Sequence, residues 1–341
     1  MTPSHFQSIA KKYPRLRIAV VGDFCLDRYL EIDPRRREIS IETGLPVHNV
    51  VNVRSQPGAA GTILNNLVAL GIGKIYPIGF AGEDGEGMEL VRCLRGMKNV
   101  TLDYFLTTPE RRTFTYTKPL MLEAGRAPRE LNRLDFKNWS STPAVVHNRL
   151  ADCVRKVAGK VDAIILMDQV DVPETGVVTS KLLKMIGMIA RAMPGLLILA
   201  DSRRGLKGFP PVCLKMNRAE LAASVGAKEK LSLKQITRAT AALSLRQSRP
   251  VFVTLGRQGI VGAVGGQVEH VPALPVRGEI DIVGAGDSVA ANLTAALAGG
   301  ARLRESLEIA NAAASIVIHQ LGTTGTAGVR EIKALLANQS P

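Results

Sequence analysis

The chain has 341 residues, of which 46% are hydrophobic and 22% are charged, values that exclude intrinsic disorder and collagen-like repeats. Its 44 basic residues exceed its 30 acidic ones, so the net charge is +14 at pH 7, which suits nucleic acid, small phosphorylated anions or simply a basic solvated surface. We expect no nucleic-acid partner, because aromatic residues make up only 4% of the chain and the basic residues form short runs.

The hydrophobic pattern predicts strands that alternate with helices along most of the chain. A buried strand at 17–23 is followed by helices at 60–71 and 84–94, with a strand at 74–79 between them. Further on, helices are predicted at 143–158, 174–192 and 231–245, and strands at 163–167, 196–200 and 251–254. The last part of the chain predicts helices at 285–299, 304–319 and 327–337.

This alternation predicts an α/β fold with a central, mostly parallel sheet and helices on both faces. Ligands of such sheets bind at the carboxyl ends of the strands. Segments near 27–53 and 100–135 read as extended or alternate with period two, so we expect them to form a small accessory sheet that covers the site. We see no linker and predict a single domain over 1–341.

The cysteines and the hydropathy pattern indicate an intracellular protein. Four widely separated cysteines form no C-x-x-C motif, which favours a reduced compartment. Residues 1–17 lack the apolar core of a signal peptide, and the most apolar stretch, 182–200, is interrupted by charged residues and a proline. We therefore expect a cytoplasmic protein with no membrane partner.

The most specific motif runs from Asp281 to Asp287 and opens a predicted helix. Backbone N–H groups at Gly284, Ala285 and Gly286, helped by the helix dipole, would form an anion hole for a transferred phosphoryl group. Asp287 would accept the proton of an attacking hydroxyl. An ordinary glycine-rich turn with a favourable acid in the first helical turn explains the same pattern, and the residues alone leave both interpretations open.

A second motif places Asn217 and Glu220 three residues apart. This pair could orient water around Mg²⁺ bound to nucleotide phosphates, although a helix capping box has the same pattern. The chain has no G-x-x-x-x-G-K-[ST] sequence, and no G-x-G-x-x-G follows the first strand. A P-loop is therefore excluded, and a dinucleotide-binding first unit is not expected.

These motifs, in this order over about residues 17–330, resemble the ribokinase-like (PfkB) carbohydrate kinases. The segments that carry the resemblance are Gly22–Asp23, 26–29, 57–71, 79–87, 217–220, 254–259 and 281–287. Within that family, the segments 22–29, 39–42, 133–136 and 310–314 are most similar to the heptose 7-phosphate kinase half of bifunctional ADP-heptose synthases. We expect the adenylyltransferase half to be absent.

The resemblance implies a ribokinase-like three-layer sandwich with a small β lid, and an enzyme that transfers the γ-phosphate of ATP to a sugar or sugar phosphate with Mg²⁺. It implies that Asp287 is the base and that the nucleotide lies at Asn217, Glu220, Thr254, Gly256, Gly259 and Asn311. The sugar would contact Asp27, Gly58, Ala59, Thr62 and Arg133. Asn217 and Glu220 would hold Mg²⁺ through water, and Asp281 would frame a K⁺ site. The resemblance also implies a homodimer through the accessory strands.

Several sugar-side positions depart from the family pattern. Ala59 replaces the second glycine of the first signature and Thr62 replaces its asparagine, while Gln169 and Asp171 stand near the places of a tyrosine and a lysine. We expect kinase chemistry and leave the sugar open; a non-catalytic sugar- or nucleotide-binding protein with the same fold is the alternative. The positive field for anionic ligands is expected to come from Arg111, Arg112, Lys118, Arg203 and Arg204.

Overall fold

A computed structural model describes residues 1–123, 125–126, 128–227, 229–322 and 324–338. The strands are β1 (Arg17–Gly22), β2 (Phe24–Ile39), β3 (Pro46–Ala59), β4 (Lys74–Ile78), β5 (Phe80–Gly82), β6 (Leu106–Thr108), β7 (Phe114–Met121), β8 (Arg129–Glu130), β9 (Leu134–Phe136), β10 (Ala163–Asp168), β11 (Leu197–Ser202), β12 (Cys213–Asn217), β13 (Val251–Thr254), β14 (Ile260–Val264) and β15 (Gln267–Val271). The helices are α1 (Pro3–Ala10), α2 (Ala60–Ala69), α3 (Gly85–Arg95), α4 (Ala144–Ala158), α5 (Ser180–Ala192), α6 (Arg218–Ser224), α7 (Leu233–Gln247), α8 (Ala285–Ala298), α9 (Leu303–Val317) and α10 (Val329–Ala337).

The main sheet has eight strands in the order β15-β14-β13-β12-β11-β10-β1-β4. The strands from β13 to β4 are parallel, and β14 and β15 add an antiparallel edge. Both faces are covered, so the central strands are continuous apolar runs rather than alternating ones. Along β1, Ile18 and Val20 pack with α2, α8 and α9, whereas Ala19 and Val21 pack with α4 and α5. The expected α/β three-layer sandwich is confirmed.

A second sheet lies over the carboxyl ends of the main sheet, and we call it the lid. Its strand order is β3-β2-β7-β8, and β9 also pairs with β7. β2 and β3 form a long antiparallel hairpin that pairs Phe24 with Ala59 at its base and Ile39 with Pro46 at its tip, and its register shifts on either side of Ile32. The chain enters the lid from β1 through Asp23 and leaves it from β3 directly into α2. Both connections to the body therefore lie at the base of this hairpin.

Several elements differ from the sequence predictions, among them β5, which was not predicted, and β6, which pairs with β5 instead of joining the lid. Helix α1 was not predicted, because it is only 8 residues long; burial of Phe6 and Ile9 stabilises it. Strand β12 was not predicted either, since its buried run is interrupted by Lys215. The helix predicted at 174–192 is wrong in its first residues: α5 begins at Ser180, where the side chain of Thr179 caps the N–H of Leu182.

Neither cross-links nor membrane segments are needed to explain this architecture. All four cysteines are free, and Cys25 and Cys213 are buried. In the described ranges, no helix combines the length and the apolar character that crossing a bilayer requires.

Candidate functional site

A deep cavity of about 410 Å³ lies beside the start of α8. Four residues predicted to contact the nucleotide, namely Thr254, Gly256, Gly259 and Asn311, line it together with Ala285 and Gly286. The remaining walls are mostly aliphatic, with Arg257 as a cation at the rim. An apolar slot with a few polar groups is the usual form of a small-molecule site. Its size and lining suit the base and ribose of a nucleotide.

The turn before α8 presents backbone N–H groups to one end of this cavity. Gly284 caps the helix with φ 81°, a left-handed conformation that favours glycine. The N–H of Ala285 donates to the carbonyl of Ile282 at 3.2 Å, so it is occupied, in contrast to the expected three-amide hole. Among the contacts of the described residues, the N–H groups of Gly286 and Asp287 have no partner. The anion hole therefore centres on these two amides, where the helix dipole adds positive charge.

Asp287 lies half-buried in the first turn of α8. Loss of surrounding water raises the pKa of its carboxyl to about 7; the charges of Asp201 and Asp27 add to this rise, and Lys215 opposes it. A carboxyl with a pKa near neutrality is well matched to general base catalysis at physiological pH. The charge interaction with Asp27 indicates that this lid residue lies near the carboxylate predicted as base.

Lys215 is a site residue that the sequence analysis missed. It is buried on β12, its ammonium group pairs with Asp201 at the end of β11, and it lies 3.2 Å from where a Cβ on Gly286 would stand. Burial lowers the pKa of Lys215, but the carboxylates of Asp201 and Asp287 raise it, and the net shift is upward. The side chain is therefore a fixed cation beside the anion hole. The sequence did not predict this role, because Lys215 interrupts the apolar pattern by which strand β12 would have been recognised.

Asn217 and Glu220 form a capping box at the start of α6, the alternative that the sequence left open. The side chain of Asn217 accepts the N–H of Glu220 at 3.0 Å, and the Glu220 carboxylate accepts the N–H and Nδ2 of Asn217 at 2.8 and 2.6 Å. Asn217 thus precedes the helix rather than sharing a helical face with Glu220. Burial raises the pKa of Glu220, and the hydrogen bond from the Asn217 N–H lowers it. The charge of Asp201 also raises the pKa of Glu220, which indicates that these two carboxylates are neighbours.

On the lid, Asp27 is buried on β2 and pairs with Lys118 at 3.4 Å. Burial raises the pKa of Asp27, and Lys118 lowers it in part, with a net rise. Gly58 lies beside it on β3, and a Cβ at this position would stand 2.4 Å from Asp27 Oδ2. Glycine at position 58 therefore leaves the Asp27 carboxylate free to face the body.

Ala59 and Thr62 lie where the lid joins the body. Ala59 has φ 54° and ψ −118°, a conformation that favours glycine, immediately before α2. Thr62 is buried in α2, and its methyl group lies 3.5 Å from the Cβ position of Gly284. On the neighbouring strand end, Gln56 Nε2 donates to Thr324 Oγ1 at 2.7 Å, which connects lid and body.

The other sugar-side and cation-site residues are engaged by neighbours. Arg133 donates twice to Asp135, at 2.7 and 2.8 Å, and stacks over Tyr116 at 5.0 Å. Asp281 accepts the N–H of Val283 at 3.0 Å and lines a cleft of about 890 Å³ between the lid and the 280–283 loop. In the part of the chain that the structure describes, no group of three or more His, Cys, Asp or Glu is arranged to hold a metal.

Comparison with known proteins agrees with this geometry. Residues 210–328 match the description "pfkB family carbohydrate kinase". The chain is 32% identical to the bifunctional protein HldE of Rhodospirillum rubrum over 325 residues, covering 94% of this chain and 62% of that protein. It is 30% identical to the bifunctional protein HldE of Azorhizobium caulinodans, covering 90% and 61%. The stretch that matches the pfkB family of carbohydrate kinases thus includes Asp287 and the start of α8. The chain spans about three fifths of the length of these curated relatives.

Solved structures support the pfkB-type fold. The structure of phosphofructokinase-2 from Escherichia coli in complex with substrates and products superposes with a TM-score of 0.73, at 21% identity, covering 95% of this chain and 99% of that one. Arabidopsis thaliana ribokinase complexed with ribose and ATP gives 0.68 at 20% identity, covering 94% and 98%. At this identity the likeness establishes the fold, and the roles of individual residues in this chain have to be argued from its own geometry.

Proposed function

We propose that the protein is an ATP-dependent kinase that phosphorylates a hydroxyl group of a sugar or sugar phosphate of heptose size, the size implied by the resemblance to heptose 7-phosphate kinases. The observation that carries the proposal is the position of Asp287. Its carboxyl, whose pKa is raised to about 7, follows Gly286 of the cavity wall in the chain and is close enough to the buried Asp27 of the lid for the charge of Asp27 to act on it. A phosphoryl donor on one side and a hydroxyl acceptor on the other would meet at this carboxylate.

The chain's own residues supply the chemistry of the transfer. Asp287 Oδ accepts the proton of the sugar hydroxyl as its oxygen bonds to the γ-phosphorus of ATP and the bond from that phosphorus to the departing ADP oxygen breaks. The N–H groups of Gly286 and Asp287, together with the Lys215 ammonium, stabilise negative charge on the transferred group. Asp27 orients the acceptor by accepting hydrogen bonds from its hydroxyls. Positioning and electrostatics provide most of the rate, because phosphoryl transfer needs little covalent assistance.

The carboxylates of Glu220 and Asp201 fit a divalent cation whose remaining ligands are water and phosphate oxygens. Mg²⁺ prefers oxygen ligands and usually keeps several waters while binding one or two carboxylates and the substrate phosphates. The neighbouring carboxylates of Glu220 and Asp201 offer such oxygens without forming a closed cage. When bound with ATP, Mg²⁺ would neutralise charge on the phosphates. A K⁺ ion at Asp281, a homodimer through the lid and a cytoplasmic location belong to the same proposal.

The test replaces the base while keeping its shape. Asp287→Asn should lower turnover by roughly 10²–10⁴, because the amide cannot accept the proton. The measurement is ADP release with a panel of sugars and sugar phosphates, and thermal stabilisation by a non-hydrolysable ATP analogue shows that the nucleotide still binds. The matched control is Asp152→Asn, on the exposed face of α4 and remote from the site. Near-normal turnover of Asp287→Asn would refute the assignment, and binding of ATP without turnover of any acceptor would favour the non-catalytic alternative.

A further inference from the structure

The cations expected to attract an anionic acceptor are already engaged in the folded protein, four of them by carboxylates and Arg111 by carbonyl oxygens. Arg111 is buried and donates to the carbonyls of Ser140 and Thr175. The others each face a carboxylate: Arg112 faces Asp84, Lys118 faces Asp27, Arg203 faces Asp171 and Arg204 faces Asp168. The net charge of +14 therefore does not produce an unpaired positive patch at these positions.

The densest pairing lies at one end of the lid, in a group that we call the distal charge cluster, comprising Arg133, Lys137, Arg203, Asp135 and Asp171. Asp171 holds two of the cations, with Lys137 Nζ at 2.7 Å and Arg203 Nε at 3.2 Å. Asp135 takes the third, Arg133, and also faces Lys137 at 3.6 Å. These pairs lower the pKa of Asp171, chiefly through the bond from Lys137, so its carboxylate is ionised at neutral pH.

This cluster stands at the far end of the acceptor site. Gln56, Asp27, Tyr116 and Asp135 are cross-strand neighbours in register, so they form one row on the same face of the lid. Asp27 is the residue of this row whose charge acts on Asp287. Asp135 lies two strand spacings from Asp27 along the row, a distance of about 10 Å. That span is comparable to the length of a six- or seven-carbon sugar. A sugar whose reacting hydroxyl lies at Asp287 would thus point its other end towards Asp135 and Asp171.

We propose that Asp171 determines acceptor specificity by occupying Lys137 and Arg203, so that the site selects a sugar with an uncharged distal end over its phosphorylated counterpart. This inference rests on the kinase activity proposed above. A phosphate dianion would have to displace the Asp171 carboxylate from both cations and would be repelled by it. Sugar hydroxyls both donate and accept hydrogen bonds, so they suit alternating carboxylates and cations.

The experiment compares paired acceptors in two proteins. The kcat/KM for six- and seven-carbon sugars and for the same sugars with a terminal phosphate is measured in the wild type and in Asp171→Asn. The wild type should prefer the free sugars, and the variant should shift the ratio towards the phosphates at least tenfold by releasing Lys137 and Arg203. Asp171 is 43% exposed, so the substitution should leave folding intact. Asp152→Asn removes the same charge on α4 and should leave the ratio unchanged.

The possible outcomes distinguish failure of the role proposed for Asp171 from failure of the proposed kinase activity. A wild type that phosphorylates sugar phosphates in preference to free sugars overturns the role of Asp171 while leaving the kinase proposal standing. An unchanged ratio in Asp171→Asn, with the melting temperature preserved, overturns it as well. If no acceptor is phosphorylated and none shifts the melting temperature beside an ATP analogue, the kinase proposal itself fails, and the inference that rests on it fails with it.

Discussion

Ala59→Gly is expected to stabilise the protein, against the usual direction of such a change. At φ 54° and ψ −118° an alanine Cβ crowds the backbone, which costs roughly 1–3 kcal/mol. Glycine removes this strain but adds about 0.4–1 kcal/mol of unfolded-state entropy. The net gain is therefore about 1 kcal/mol. Unfolding entropy of roughly 2.1 cal/mol/K per residue over 341 residues converts this into a rise of about 1–2 °C in melting temperature.

The assay is urea unfolding followed by circular dichroism, supported by calorimetry, with a substitution of identical chemistry as the control. Ala242 lies exposed in the interior of α7, where backbone angles are ordinary. Ala242→Gly should destabilise the protein by about 0.5–1 kcal/mol, because glycine only adds chain entropy there. Opposite signs for the two variants support the strain argument. Equal destabilisation in both would refute it, since Ala59 would then carry no strain for glycine to relieve.

Two further outcomes follow from the site. Gly58→Ala should reduce kcat/KM far more than stability, because the new Cβ would stand 2.4 Å from Asp27 Oδ2. The control Gly159→Ala has open space at its Cβ and should change neither activity nor stability. Equal losses of activity in the two variants would contradict this prediction. The raised pKa of Asp287 predicts that kcat/KM increases with pH through about 7. The folded state also holds this proton at pH values where the unfolded chain has released it, so the free energy of unfolding should fall as pH rises from about 4 to 7. Both pH dependences should weaken in Asp287→Asn, and an unchanged rate profile in that variant would show that another group titrates.

The sequence predicted most of the body of the fold because its signals are local. The apolar runs of β1 and β10, and the glycine-rich turn before α8, follow directly from burial on two faces and from backbone conformation. Asp287 was singled out from the same turn, whereas the predicted nucleotide contacts that line the cavity beside α8 were expected only from the family resemblance. The pattern around Asn217 could not separate a capping box from a metal-binding role, because both need the same residues at the same spacing.

Non-local pairing explains what the sequence could not predict. Lys215 becomes a site residue only because β12 places it beside Asp201 at the end of β11, a contact between distant segments. The pairing of Asp171 with Lys137 likewise joins the lid to a loop after β10. Net charge is a sum over all residues and carries no record of which cations face carboxylates, so +14 could not reveal that Lys137 and Arg203 both pair with Asp171.

The lid and Asp287 are energetically linked, because the charges of Asp27 and Asp287 act on each other. Asp27 belongs to the lid, Asp287 belongs to the body, and the charge of Asp27 raises the pKa of Asp287. Any opening of the lid moves Asp27 away and admits water, and both changes lower that pKa. The carboxylate of Asp287 is therefore the stronger base when the lid is closed over a sugar, and a weaker base when the site is open. Since Ala59 sits at the junction through which this movement would pass, strain there bears on the equilibrium between the two states as well as on the stability of the fold.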